Sequence, residues 1–126
     1  MAVNGQYLMG ANAMNNHPRI YTLQIGSDGA LTYVTSAPCV QKDNQCLAAF
    51  NLFFDHTGSD LYVMEQNESD QSNTASFSVD KSSGALNYLG DTITSTFPGD
   101  YTGTFFIGDN DYAYSANEDG CMYYNI

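Results

Sequence analysis

Phe50-Asn51-Leu52-Phe53-Phe54-Asp55-His56-Thr57-Gly58-Ser59-Asp60-Leu61-Tyr62-Val63-Met64-Glu65-Gln66, followed after a polar gap by Thr74-Ala75-Ser76-Phe77-Ser78-Val79-Asp80-Lys81-Ser82-Ser83-Gly84-Ala85-Leu86-Asn87-Tyr88-Leu89-Gly90-Asp91, is the stretch that decides the fold. Its apolar runs are short and rich in aromatic and β-branched residues. The breaks between them are built from Gly, Ser, Asn and Asp, the residues that form tight turns. The reading is an antiparallel unit of four strands, predicted at Asn51–Phe54, Leu61–Glu65, Ala75–Val79 and Ala85–Leu89.

The unit recurs on both sides. Leu8-Met9-Gly10-Ala11-Asn12 stands 53 residues before Leu61-Tyr62-Val63-Met64-Glu65, and Ala113-Tyr114-Ser115-Ala116-Asn117 stands 52 residues after it. Tyr21, Leu23 and Ile25 precede Gly29-Ala30-Leu31-Thr32-Tyr33, as Ala75, Phe77 and Val79 precede Gly84-Ala85-Leu86-Asn87-Tyr88. The strand offset there is 54 and the Gly-Ala-Leu offset is 55, so the drift is confined to the turn. Repeats of about 40–50 residues with four strands each are propeller blades. A single antiparallel sandwich is the alternative, but composition alone would not keep Gly-Ala-Leu in step.

The expected architecture is therefore all-β, with propeller blades of four antiparallel strands. The chain holds about two and a half of them. Blade 1 covers 1–36, an inserted loop 37–48, blade 2 covers 49–95, and an incomplete blade 3 covers 96–126. The first blade reads as Tyr7–Asn12, Ile20–Ile25 and Ala30–Ser36, with its innermost strand missing. The third reads as Gly103–Ile107, Tyr112–Asn117 and Met122–Ile126, with its outermost strand missing.

Composition narrows the function. The chain has 126 residues, 14 acidic against three basic, and a net charge of −11. A phosphate backbone or an anionic membrane would be repelled, so neither nucleic acid nor membrane is expected as a partner. No segment is apolar enough for a membrane span. Met1-Ala2-Val3-Asn4-Gly5 lacks the basic and apolar regions of a signal peptide, so export would rest on a leader outside this numbering. An acidic, Asn- and Ser-rich surface suits a secreted protein.

In a propeller, the loops from second to third strands and from each fourth strand to the next blade share one face. Here these are 12–18, 66–73, 118–120, 36–48 and 95–102. Asn12, Glu65 and Asn117 fall at the ends of second strands, where they either meet a shared ligand or cap loop backbone. His17 and Arg19 place a titratable base beside a cation. They are a proton-transfer pair or an ordinary exposed loop. Asp100 and Tyr101 are further ligand candidates in the 95–102 loop, whereas His56 sits in a turn at the other end and reads as structural. Cys39 and Cys46, in a polar loop, are expected to form a disulfide. Cys121 is either a small buried residue or pairs outside the chain. Asn67-Glu68-Ser69 is an acceptor pattern for N-glycosylation. Asp109, Asp111, Glu118 and Asp119 lack the grammar of a calcium loop, so neither metal nor other cofactor is expected.

Phe53-Phe54-Asp55-His56-Thr57-Gly58-Ser59-Asp60-Leu61-Tyr62-Val63 resembles the first hairpin of lactonase-type seven-bladed propellers. Phe77-Ser78-Val79-Asp80-Lys81-Ser82-Ser83-Gly84-Ala85-Leu86 resembles their turn between third and fourth strands. The likeness, to the 6-phosphogluconolactonases and fungal muconate-lactonizing enzymes, covers nearly all of the chain. It implies a ring of seven blades with lactone chemistry at one mouth of the channel, carried by His, Arg and Glu from several blades. The chain offers a single arginine, Arg19, and no His within Thr96–Tyr101. The resemblance thus implies a part of a lactone-handling propeller that is not catalytic alone. The alternative is a non-catalytic binding or assembly module. Both readings call for further blades, from the same longer protein or from partner chains, with Leu23, Phe53, Tyr62, Phe77 and Phe105 expected to lie buried between blades.

Overall fold

The computed structural model describes residues 1–12, 19–38, 41–42, 45–46, 48–66, 72–95, 106–107, 112–117 and 120–125. Every regular element among the described residues is a strand. The first sheet runs β1 (Ala2–Val3), β2 (Tyr7–Asn12), β3 (Arg19–Ile25) and β4 (Leu31–Pro38) in chain order, antiparallel throughout. A two-stranded ribbon, β5 (Gln41–Lys42) and β6 (Gln45–Cys46), follows. The second sheet holds β7 (Ala48–Phe54), β8 (Asp60–Gln66), β9 (Ser72–Val79) and β10 (Leu86–Ser95). A third contains β11 (Phe106–Ile107), β12 (Tyr112–Asn117) and β13 (Gly120–Asn125).

The all-β, four-stranded antiparallel expectation is met by the first two sheets. Three differences refine it. The innermost strand of the first sheet is present: Ala2 pairs with Met9 and Val3 with Leu8. Two residues are too few to show period-two alternation, so sequence pattern passes over them. The segment 37–48, expected as loop, contains the β5–β6 ribbon. Finally, β10 continues to Ser95, past the expected Leu89, by absorbing two register shifts after Tyr88 and after Asp91. Bulges of this kind let a strand keep pairing while it bends.

Successive sheets meet through their first strands: β1 and β2 lie against β7, and β7 lies against β11. Neighbouring inner strands on stacked four-stranded meanders are the arrangement of propeller blades. The core forms where the first two sheets face each other. Tyr7, Met9 and Ile20 of the first sheet are buried against Leu52, Leu61, Val63, Ala75, Phe77 and Val79 of the second. Burying one such leucine contributes about 1.5–3 kcal/mol.

On the opposite face of the second sheet Tyr62, Met64, Thr74 and Ser76 are buried too. Strand β8 is therefore enclosed on both sides, which explains why Leu61-Tyr62-Val63-Met64 reads as a continuous apolar run instead of alternating. The expectation that Tyr62 and Phe77 lie buried between blades is met; Leu23 and Phe53 are half-buried, and Phe105 lies outside the described residues. Phe53 stacks on Tyr62 with ring centroids 5.5 Å apart.

At one end of the sheets the turns of the second sheet plug into the first. Asn4 Nδ2 donates to Gly58 O (2.9 Å), while Asn4 Oδ1 accepts from the Tyr7 amide (2.8 Å). The Tyr7 hydroxyl and Gln6 Nε2 both donate to Lys81 O, at 3.2 and 3.0 Å. The buried Thr22 hydroxyl donates to Gly84 O (2.9 Å). Close approach at Gly84 requires glycine: its φ is +68°, and a Cβ there would stand 2.7 Å from Thr22 Cγ2. This end of the interface is closed.

Candidate functional site

The opposite end of the sheets carries the polar strand ends. β2 finishes at Asn12, β3 begins at Arg19, and the two residues are register partners. The intervening 13–18 segment, with His17, lies outside the described residues. Arg19 is also the register partner of Pro38 on β4, and its guanidinium reaches across to that strand. Nε donates to Ser36 Oγ (2.9 Å) and Nη2 to the Ser36 carbonyl (3.3 Å). Both acceptors are neutral, so the bonds fix the guanidinium without discharging it. Asn12 and Arg19 are half-buried. Together they put an amide and a fixed cation at one strand end, a pairing suited to accepting a carbonyl or carboxylate oxygen.

Glu65 is the penultimate residue of β8, partnered in register by Ala49 on β7 and Asn73 on β9. Asn117 is the last residue of β12, opposite Gly120. The strand-end equivalence of Asn12, Glu65 and Asn117 read from the repeat is thus a feature of three separate sheets. Asp100 and Tyr101 lie outside the described residues, as do Cys39, Asn67 and the acidic residues Asp109, Asp111, Glu118 and Asp119. Cys46 sits in β6, paired in register with Gln41.

The turns at the closed end hold the perturbed carboxylates. Burial works against ionisation of Asp55, but donors from Thr57, Asp60 and Ser59 outweigh it and hold its pKa below the ordinary 3.8. Its Oδ1 accepts the Ser59 and Asp60 amides at 2.8 and 2.9 Å, and its Oδ2 accepts the Thr57 amide and hydroxyl. The hydroxyl and amide of Ser82, with the Ser83 amide, likewise hold Asp80 low. Asp60 moves the other way, raised by burial and then by repulsion from Asp55. These groups serve turn geometry. They face the closed end, away from the Asn12–Arg19 strand ends.

Sequence reasoning missed the contacts made by Asn4, Gln6, Tyr7 and Thr22. A signal for them existed: Gly5 and Gly58 are 53 residues apart, Gly29 and Gly84 are 55 apart, and all four have positive φ. The repeat thus preserves its docking turns as well as its strands.

No protein-family model matches the chain, and no curated protein matches it. Among solved structures, the chain is similar to a protein from Lactobacillus plantarum, with a TM-score of 0.58 and 16% sequence identity. The match covers 94% of this chain and 40% of the other, so the chain spans well under half of that protein's length. At this identity the likeness is a distant structural relationship and shows the fold alone.

Proposed function

We propose that residues 1–126 are part of a lactonase-like β-propeller that takes a small lactone or sugar-acid-type ligand at the polar mouth of its channel, and that this part alone is not catalytic. The observation that carries the reading is the Asn12–Arg19 pair, with Glu65 and Asn117 at the position of Asn12 in the other two second strands. Asn12 and Arg19 supply donors for a ring carbonyl, and Glu65 supplies an acceptor for sugar hydroxyls. His17, Asp100 and Tyr101 belong to the same face by the propeller grammar and complete the ligand-contacting set. With a net charge of −11, the neutral lactone is favoured over its ionised acid.

Hydrolysis needs a base to activate water and donors for the developing oxyanion. His17 is the base candidate here, and the remaining groups come from further blades of the same longer protein or of partner chains. Isothermal titration of glucono-δ-lactone into the chain, with a parallel hydrolysis assay, tests both halves. The expected result is weak saturable binding that Arg19→Ala abolishes, with no turnover. Turnover lost on His17→Ala would overturn the non-catalytic half, and absence of saturable binding would overturn the ligand.

The second reading is a secreted propeller that serves only binding or assembly, favoured by the engagement of Arg19 with Ser36. Export in either case goes with a Cys39–Cys46 disulfide and a glycan at Asn67. Intact-mass analysis after alkylation without reductant should find those two thiols blocked; two free thiols would remove this support for export.

A further inference from the structure

Arg19 is the single arginine of the chain, and its guanidinium is held from one side only. A guanidinium carries five N–H donors in one plane. Nε with one proton of Nη2 makes a fork along its side, and Nη1 with the other proton of Nη2 makes a second fork at its end. Ser36 takes the side fork: its hydroxyl accepts from Nε at 2.9 Å and its carbonyl from Nη2 at 3.3 Å. Among the described residues no other group bonds to the guanidinium and no carboxylate pairs with it, although the chain has 14 acidic residues. The end fork is left for a ligand, at a half-buried strand end where Arg19 is the register partner of Asn12.

The repeated unit does not itself require this pair. Ala75 pairs with Asp91 in the second sheet as Tyr21 pairs with Ser36 in the first, so Asn73 and Asp91 stand where Arg19 and Ser36 do. The second sheet carries Asn73 at that position and still continues its pairing to Ser72. Strand pairing therefore calls for neither the arginine nor its serine. What the two bonds achieve is orientation. A long side chain that would otherwise sample many rotamers is limited to one, so little freedom remains to be lost when a ligand arrives.

We propose that Ser36 is the positioning residue of the ligand site: by taking the side fork it aims the end fork of Arg19 at a planar O–C=O group, gripped through both oxygens by parallel N–H bonds. Ser36 acts through Arg19 and needs no contact with the ligand. The proposal rests on the lactone reading and deepens it, since the O–C=O edge is common to a lactone and to its ring-opened carboxylate.

Two measurements on the 126-residue chain test it. A single arginine gives a single Nε–H signal in a nitrogen–proton correlation spectrum, and its exchange with water reports the side fork without any ligand. Exchange slower than in free arginine is expected, faster in Ser36→Ala and slow again in Ser36→Thr, which restores the hydroxyl. Isothermal titration with glucono-δ-lactone, and with gluconate in a parallel arm, reports the end fork. Ser36→Ala should weaken binding about two- to tenfold, Ser36→Thr should recover it, and Arg19→Lys, a charge without a fork, should bind no better than Ser36→Ala. The arm in which affinity falls identifies the source of the O–C=O group. Thermal melts establish that each variant is folded at the titration temperature. An Nε–H exchanging as fast as in free arginine overturns the positioning and leaves the lactone reading intact. Equal affinity of Ser36→Ala and the unaltered chain overturns the role of Ser36 in binding. Slow exchange with neither compound bound overturns the ligand, and the lactone reading with it.

Discussion

Single residues at the sheet-to-sheet contact separate backbone strain from packing. Gly84 and Gly29 share a left-handed backbone, but only Gly84 has neighbours in the space a Cβ would take. In an isolated chain Gly29→Ala should cost about 1 kcal/mol, the strain of the conformation alone. Gly84→Ala should cost about 2–4 kcal/mol, because Thr22 and Tyr7 must also give way. Urea denaturation of the two variants checks the difference, and equal costs would mean that the contact is looser than described. Thr22→Val preserves shape and removes one hydroxyl, which leaves Gly84 O without its donor in a buried setting. The expected loss is about 1–2 kcal/mol. The reverse case is Ser76, whose buried hydroxyl finds no acceptor or donor among the described residues. Ser76→Ala should therefore be neutral or stabilising by up to about 1 kcal/mol.

Among elements, the hairpin tips set the pH response. Asp55 and Asp80 have pKa values lowered below 3.8 in the folded state, so the unfolded chain binds protons first as pH falls. Their stabilising contribution is present above the ordinary carboxylate value and is lost as pH drops through their folded values. Asp60 has the opposite sign: its raised pKa favours the native state at low pH, and that advantage disappears as pH rises through it. Asp60→Asn should then raise the melting temperature at neutral pH, by an amount equivalent to about 0.3–0.5 kcal/mol, and give no gain near pH 3. Thermal melts of both proteins across that range measure it; a gain that persists in acid would remove the charge of Asp60, disfavoured by burial and then by Asp55, as its cause. The same elements show what sequence can reveal. Strands of five or more residues with Gly-Asp turns were legible, because alternation and turn chemistry coincide in them. β1 was not, since it is two residues long, and neither was the far half of β10, whose bulges interrupt the alternation.

At the scale of the whole molecule, the repeat made the stacking of sheets legible, and Tyr62 and Phe77 were placed between blades on that ground alone. The candidate site was legible only as a set of strand ends. Asn12, Glu65 and Asn117 could be aligned by period, whereas no period reports that Arg19 is held by Ser36, because that bond depends on how β3 and β4 are sheared across their bulge. Loop residues such as His17 and Tyr101 carry no periodicity to anchor them. The docking of turns at the other end escaped for a related reason: it joins residues 54 to 75 positions apart through side chains that look like ordinary turn polarity.

The enclosure of β8 on both faces bears on how the chain opens as well as on how it packs. Amides of Leu61, Val63 and Met64 lie between two ladders and under two layers of side chains, so they exchange with solvent only when both interfaces part. Those of β4 lie under a face that water already reaches. Native-state hydrogen–deuterium exchange should therefore grade the molecule, with β8 the last to take up deuterium and the outer strand of the first sheet exchanging by local fraying. The second sheet would then be the kinetic anchor from which neighbouring sheets detach one at a time. A uniform exchange rate across β4 and β8 would mean instead that the sheets open as one cooperative unit.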